Sequence, residues 1–256
     1  MPKRLLHGKI VANEYVATGI KRLIIEAKEL AELAVPGQFL HLRCREIGAD
    51  PLLRRPISIS DIDRAVGRLT LLYKIVGKGT ALLAQLEADE WVDCMGPLGN
   101  GFALRGEKPL LVGGGMGLAP LVALAKALCP RPTEILLGGR GKEELFWTEA
   151  FASSCQNAHL TTDDGSAGLK GTVVDLLPQL LAAGGYDSVY TCGPRPMMEK
   201  IAALAKEYGI DCQVSLEEYM ACGVGACLAC SCAKTNGGRA KICLDGPVFD
   251  AEEVFG

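Results

Sequence analysis

Short apolar runs separated by turn residues fill the first hundred positions of the chain. Residues 9–12, 20–27, 38–44, 57–61, 69–76 and 91–94 are rich in β-branched or apolar side chains, and Pro36-Gly37, Gly48 and Gly96-Pro97 bound them. Runs of this length and spacing predict strands. Only residues 79–86 look helical. Six short strands with hardly a helix predict a small antiparallel β-barrel.

The pattern changes after Gly99-Asn100-Gly101. Leu110-Leu111-Val112 predicts a buried strand, followed by glycines and a helix over 119–128. Strands at 135–138, 159–162, 188–191 and 213–216 then alternate with helices near 143–152, 173–183 and 196–208. Alternation of this kind predicts a parallel sheet with crossover helices, whose ligands bind at the carboxyl ends of the strands. Beyond Glu218 the alternation stops and a short tail rich in Cys and Gly begins. The expected division is a barrel domain at 1–102, an α/β nucleotide-binding domain at 103–212 and a small subdomain at 213–256.

Composition narrows the function. The 256 residues are 49% hydrophobic and 22% charged, which excludes a disordered or collagen-like chain. A net charge of −3 with no basic block, and only 5% aromatic residues, argues against nucleic-acid binding. The most apolar stretch, 110–129, is interrupted by Gly113, Gly114, Gly115, Gly117 and Pro120, too broken for a membrane span. Residues 1–8 contain Lys3 and Arg4 without a following apolar core and cleavage site, so a cytoplasmic protein is expected.

Eleven cysteines are many for this length. Cys44, Cys94, Cys129, Cys155, Cys192 and Cys212 are scattered, whereas Cys222, Cys227, Cys230, Cys232 and Cys243 crowd together. In a reducing compartment such a group reads as metal-binding or redox rather than as a disulfide framework. Cys222, Cys227, Cys230 and Cys243 have the C-x4-C-x2-C…C spacing of plant-type [2Fe–2S] sites. Gly223 and Gly225 permit the loop to wrap, and Ala226 and Ala229 leave room for inorganic sulfide. A four-thiolate zinc site from Cys227, Cys230, Cys232 and Cys243 is the competing reading, and Cys232 can replace Cys243 as fourth ligand.

Gly113-Gly-Gly-Met-Gly117-Leu-Ala-Pro120 follows a predicted strand and opens a predicted helix. From Gly115 it reads G-x-G-x-x-P, a relative of the dinucleotide fingerprint. Gly113, Gly114, Gly115 and Gly117 let backbone approach a pyrophosphate at the helix N-terminus. The acidic residue that usually ends the second strand is missing. Gly138-Gly139-Arg140 stands there instead, which leaves the choice between NAD and NADP open. Cys192-Gly193-Pro194 closes the fourth strand at the ligand edge and is expected to wall the nicotinamide. Asp163, after the third strand, is a candidate partner for nucleotide hydroxyls. A hydrolytic Cys192 lacks a histidine nearby in sequence, since only His7, His41 and His159 exist.

In the barrel, Arg55-Pro56-Ile57-Ser58 joins a phosphate-holding fork to a hydroxyl able to bond a flavin ring nitrogen. Leu72-Tyr73-Lys74 and Gly79-Thr80 add a second candidate flavin contact and a phosphate cradle.

The ensemble resembles the ferredoxin-reductase-type flavoproteins, and within them one family more closely. Pro36-Gly-Gln-Phe39, Leu53-Arg-Arg-Pro-Ile-Ser58, Gly77-Lys-Gly-Thr80, Gly96-Pro-Leu-Gly-Asn-Gly-Phe102, Thr162-Asp-Asp-Gly-Ser166 and Cys192-Gly-Pro194 all carry the likeness. Its most specific part is Leu216-Glu-Glu-Tyr-Met-Ala-Cys-Gly-Val-Gly-Ala-Cys227, completed by Cys243-Leu-Asp-Gly-Pro-Val-Phe249. These motifs are similar to those of the electron-transfer subunit of NAD-dependent dihydroorotate dehydrogenase B. Met116 and Tyr219 depart from it, standing where Ile and Arg are expected.

The resemblance implies FAD held by Arg55, Pro56, Ile57, Ser58, Leu72, Tyr73, Lys74, Gly79 and Thr80, and a [2Fe–2S] cluster on Cys222, Cys227, Cys230 and Cys243. It further implies NAD as electron acceptor and an FMN-containing TIM-barrel partner that oxidises dihydroorotate in pyrimidine synthesis, two of each subunit forming a heterotetramer. No residues for a dihydroorotate site are apparent in this chain. Two other readings keep the sequence features. One gives the same domains a different partner, as in a ferredoxin:NADP reductase or a sulfide or hydrogenase electron-transfer subunit, with Arg140 in its favour. The other is a zinc-bearing, non-redox ligand sensor.

Overall fold

The computed structural model describes residues 3–44 and 50–256; the turn expected at Gly48 lies outside them. The barrel domain runs β1 (Arg4–Ala17), β2 (Ile20–Glu26), α1 (Lys28–Leu33), β3 (Phe39–Leu42), β4 (Arg55–Asp63), β5 (Arg68–Lys74), α2 (Lys78–Leu83) and β6 (Trp91–Leu98). The six strands close into an antiparallel barrel in the order β1-β2-β5-β4-β3-β6. Alternation explains the closure: Leu23 and Ile25 on β2, Leu40 and Leu42 on β3 and Leu69 and Leu71 on β5 point to a common interior. Helix α1 was not expected. Six residues with no side-chain cap give little helical period to read, and burial of Leu30 and Ala31 secures it instead.

The second domain runs β7 (Pro109–Gly114), a 3-10 turn, α3 (Leu118–Leu128), β8 (Glu134–Gly139), α4 (Thr148–Phe151), β9 (Asn157–Thr162), β10 (Leu169–Lys170), α5 (Val173–Gly184), β11 (Ser188–Cys192), α6 (Arg195–Glu207) and β12 (Asp211–Ser215). The helix expected near 143–152 is instead a 3-10 turn and the four-residue α4, anchored by buried Trp147 and Phe151. β9, β8, β7, β11 and β12 lie side by side in that order, all parallel. Chain direction across the sheet therefore reverses at β7, which opens a crevice beyond the carboxyl ends of β7, β8 and β11.

The tail forms the hairpin β13 (Ser231–Ala233) and β14 (Arg239–Lys241), then β15 (Val248–Asp250) and α7 (Ala251–Val254). The sheet is not wholly parallel, because β15 pairs antiparallel with β12. Phe249, buried at 6%, fixes this return of the chain. The boundary expected at 212/213 runs through β12, so the tail and the sheet share an edge. Among the described residues no helix is long and apolar enough to cross a membrane.

Candidate functional site

Three adjoining features meet between the domains. The first is a cavity of about 380 Å³ on the barrel, lined by Arg55, Pro56, Ile57, Ser58, Leu72, Tyr73, Lys74 and Thr80. Gly79 is not on that wall. It lies under Arg55, and a Cβ there would be 2.5 Å from Arg55 Nε, so glycine leaves space for the guanidinium. Arg55 Nη1 donates to the Leu53 carbonyl at 2.7 Å. The Thr80 hydroxyl accepts from the N–H groups of Val76 and Gly77 at 3.0 and 3.2 Å, fixing the loop into α2. The Tyr73 hydroxyl donates to Asn13 Oδ1 at 3.0 Å. Burial is the main reason this phenol is pushed up to about 12.

The second feature is a cleft of about 800 Å³ at the sheet crevice, lined by Gly114, Gly115, Gly117, Asp163, Gly193 and Pro194 among others. Gly113 and Cys192 do not reach it. Cys192 is 1% exposed, its thiol raised by burial, and its carbonyl packs on Gly117. At the end of this strand the cleft is walled by Gly193 and Pro194 rather than by the Cys192 sulfur. A Cβ on Gly117 would lie 2.4 Å from the Cys192 oxygen, so the N-terminus of α3 and the turn after β11 touch backbone to backbone. Arg140 also lines the cleft, but its Nε donates to Glu144 Oε1 at 2.7 Å and its backbone N–H to Oε2 at 3.0 Å. These bonds to Arg140 hold the Glu144 carboxyl below the usual range.

Cavity and cleft share the lining residues Lys74, Met116, Leu216 and Glu217. Glu217 is open to the cleft, yet the protein around it raises its carboxyl. Sequence reasoning placed Glu217 in a motif without a role, because nothing local in Leu216-Glu217-Glu218 distinguishes one carboxylate from the other.

The third feature is the cysteine loop. Cys222 Sγ accepts from the N–H groups of Val224 and Cys227, both at 3.4 Å. Desolvation alone would raise the Cys222 thiol, but these donors, with Ala226 N–H and the Cys227 side chain, outweigh it and bring it to about 6. Cys230 and Cys243 are buried at 1% and 0%. Cys243 is pushed up to about 11, first by burial and then by its bond with Cys230. The thiols stand as two pairs, Cys222 with Cys227 and Cys230 with Cys243, and Cys222 is close enough to Cys243 for its charge to be felt there. Among the described residues no three Cys, His, Asp or Glu side chains converge on one point as a single ion would require. Cys232 is buried in the same cluster as Cys230 and Cys243, and its thiol is raised, first by burial and then by the charge of Glu218.

One barrel residue beside this loop escaped the sequence reading. His41 on β3 is fully buried, neither ring nitrogen makes a well-formed hydrogen bond among the described residues, and a Cβ on Gly223 would lie 2.7 Å from its Nδ1. Burial, then the charge of Arg54, lowers the imidazole to about 4.

A flavin-sized cavity on a closed barrel, joined to a dinucleotide crevice, defines a two-domain reductase of the ferredoxin-reductase type, here extended by a thiol loop. The fold matches a ferredoxin NADP+ reductase from Neisseria gonorrhoeae with a TM-score of 0.68 at 17% identity, covering 80% of this chain and 92% of that one. A chain of the NADH-dependent reduced ferredoxin-NADP oxidoreductase superposes with a TM-score of 0.86 at 34% identity, covering 96% and 89%. Residues 217–255 match the family described as the iron-sulfur cluster binding domain of dihydroorotate dehydrogenase B. The electron transfer subunit of dihydroorotate dehydrogenase B (NAD(+)) from Bacillus caldolyticus is 42% identical over 96% of both chains. This chain belongs to that family of electron transfer subunits.

Proposed function

We propose that the chain carries electrons between a dihydroorotate-oxidising partner subunit and NAD+ in pyrimidine biosynthesis, by way of a [2Fe–2S] cluster and FAD. The observation that carries this reading is the contact between the three features: one set of side chains lines both cavity and cleft, and the thiol loop rests on the same barrel. When bound, flavin exchanges two electrons with a nicotinamide and one at a time with an iron–sulfur cluster, so it belongs between them.

The residues suit these groups. Arg55 presents a planar fork to a pyrophosphate, and Ser58, half-buried on the cavity wall, offers a hydroxyl to the ring. Gly115–Gly117, at the N-terminus of α3, line the cleft and would hold the second pyrophosphate. Two thiol pairs suit a dinuclear cluster, in which each iron takes two ligands, better than a single zinc ion, which needs four converging. Cys222, Cys227, Cys230 and Cys243 are the ligands in this reading, and Cys232 is left out.

The coenzyme reading favours NAD over NADP. Arg140 is occupied by Glu144, whose carboxylate would repel the extra phosphate of NADP. Exposed Tyr219, Val224 and Leu228, with Leu244 against Gly225, give the loop an apolar outer edge for the partner. In our reading that partner is an FMN-containing TIM barrel, two of each subunit assemble, and the complex works in the cytoplasm. The test is anaerobic purification of the complex with iron, sulfide and flavin measured. Iron and sulfide in equal amounts, with FAD at half that level on this chain, support the proposal. Zinc in place of iron, or a flavin-free chain, overturns it.

A further inference from the structure

On β3 the barrel core takes Leu40 and Leu42, so Phe39 and His41 face outward. Across the strands His41 lies between Met95 of β6 and Pro56 of β4, and Phe39 lies between Leu98 and Ser58. The Met95 and Leu98 end of these rows supports Gly223 of the thiol loop. The other end is the Pro56 and Ser58 wall of the flavin cavity. His41 is the polar group in the middle.

A polar ring in such a place needs a reason. A buried donor or acceptor left without a partner is costly, and His41 is 0% exposed with neither ring nitrogen in a well-formed hydrogen bond among the described residues, a looser contact with the Arg54 backbone aside. Apolar Leu or Met would fill the same space without that cost. Gly223, at φ +68°, has no side chain to come between Nδ1 and the loop, and a Cβ would collide with the ring. The protein thus brings the loop backbone down onto a bare imidazole next to Cys222.

Resting on the proposed [2Fe–2S] site, we propose that His41 is a positioning residue that donates a ring N–H to a sulfur of the cluster held by this loop, and so raises the cluster's reduction potential. A donor to sulfur stabilises the reduced, more negative form over the oxidised one. A histidine in this role makes electron transfer into the cluster more favourable.

The test has two parts. Only three histidines exist, and His7 is exposed on β1 while His159 is bonded to Glu134 in the other domain. Incorporating 15N-histidine into the full chain therefore marks His41 unambiguously. Pulsed EPR of the reduced cluster is expected to show a 15N coupling that disappears in His41→Leu. In a redox titration, His41→Leu is expected to lower the potential by a tenfold change in the one-electron equilibrium, about 59 mV. His41→Asn, which places an N–H near the Nδ1 position, is expected to restore most of it. A labelled wild-type chain with full iron content and no 15N coupling overturns the proposal, as does an iron-replete His41→Leu variant with the wild-type potential. If His41→Leu fails to take up iron, the wild-type coupling alone decides. A wild-type chain without any iron overturns the proposed function, and this inference with it.

Discussion

Gly117→Ala probes the junction on which the nucleotide cleft depends. The added Cβ would lie 2.4 Å from the Cys192 oxygen, 2.5 Å from the Cys192 carbonyl carbon and 2.6 Å from the Gly193 Cα. All three are backbone atoms, so no flexible side chain can move aside. Separation to at least 3.0 Å must displace either the start of α3 or the turn after β11. Overpacking of this kind costs about 2 kcal/mol, a fall in Tm of roughly 6 °C for a chain of this size. The displaced groups include the cleft wall at Gly193 and the N–H groups at the head of α3. NADH-driven ferricyanide reduction should therefore lose about tenfold in kcat/KM, because misplacement of a bound reactant by a fraction of an ångström is costly. FAD content should fall less than the NADH-driven rate, since most of the barrel cavity wall is untouched and only Met116 and Ala119 of the displaced segment reach it. Wild-type Tm together with wild-type kcat/KM would refute the reasoning.

Cys243→Ser should abolish cluster assembly, whereas Cys232→Ser should retain it, as read by iron content; the reverse pattern would exchange their roles. Arg55→Ala should weaken FAD binding by about tenfold or more through loss of charge-assisted bonds, measured as flavin retained after gel filtration. Glu144→Ala frees Arg140 and should raise the NADPH-to-NADH ratio of kcat/KM by about tenfold, checked by steady-state kinetics. A pH effect follows from Glu134. Burial would raise its carboxyl, but bonds from His159, Tyr186 and Asn157 together lower it. Its contribution to stability is present above the unfolded carboxylate pKa and is lost as pH falls through the lowered folded value. Glu134→Gln should thus be less stable than wild type at pH 7, and the gap should narrow toward pH 3 in urea unfolding.

Much of this was legible in the sequence, for physical reasons that differ by element. Period-two runs such as Leu69, Leu71 and Tyr73 disclose a barrel strand by themselves, as do the apolar runs of the parallel sheet. The thiol spacing and the glycine loop are local chemistry, so they too can be read along the chain. What escaped was long-range. β15 is three residues whose place at the sheet edge is set by pairing with β12, which no local pattern encodes. Cys192 looked like a cleft wall because it ends a strand at the ligand edge, yet its side chain turns into the core. His41 and Glu217 carry no local signal. Their interest comes from what packs beside them, the loop at Gly223 in one case and the two adjoining hollows in the other.

The central claim is an order of transfer, with flavin between the nicotinamide and the iron–sulfur site. It is tested most directly by adding NADH anaerobically to the full chain, prepared with its cluster but depleted of FAD, and following cluster reduction by EPR. The account predicts no reduction until FAD is restored, followed by prompt appearance of the reduced-cluster signal. Reduction at the same rate in the flavin-free chain would contradict it.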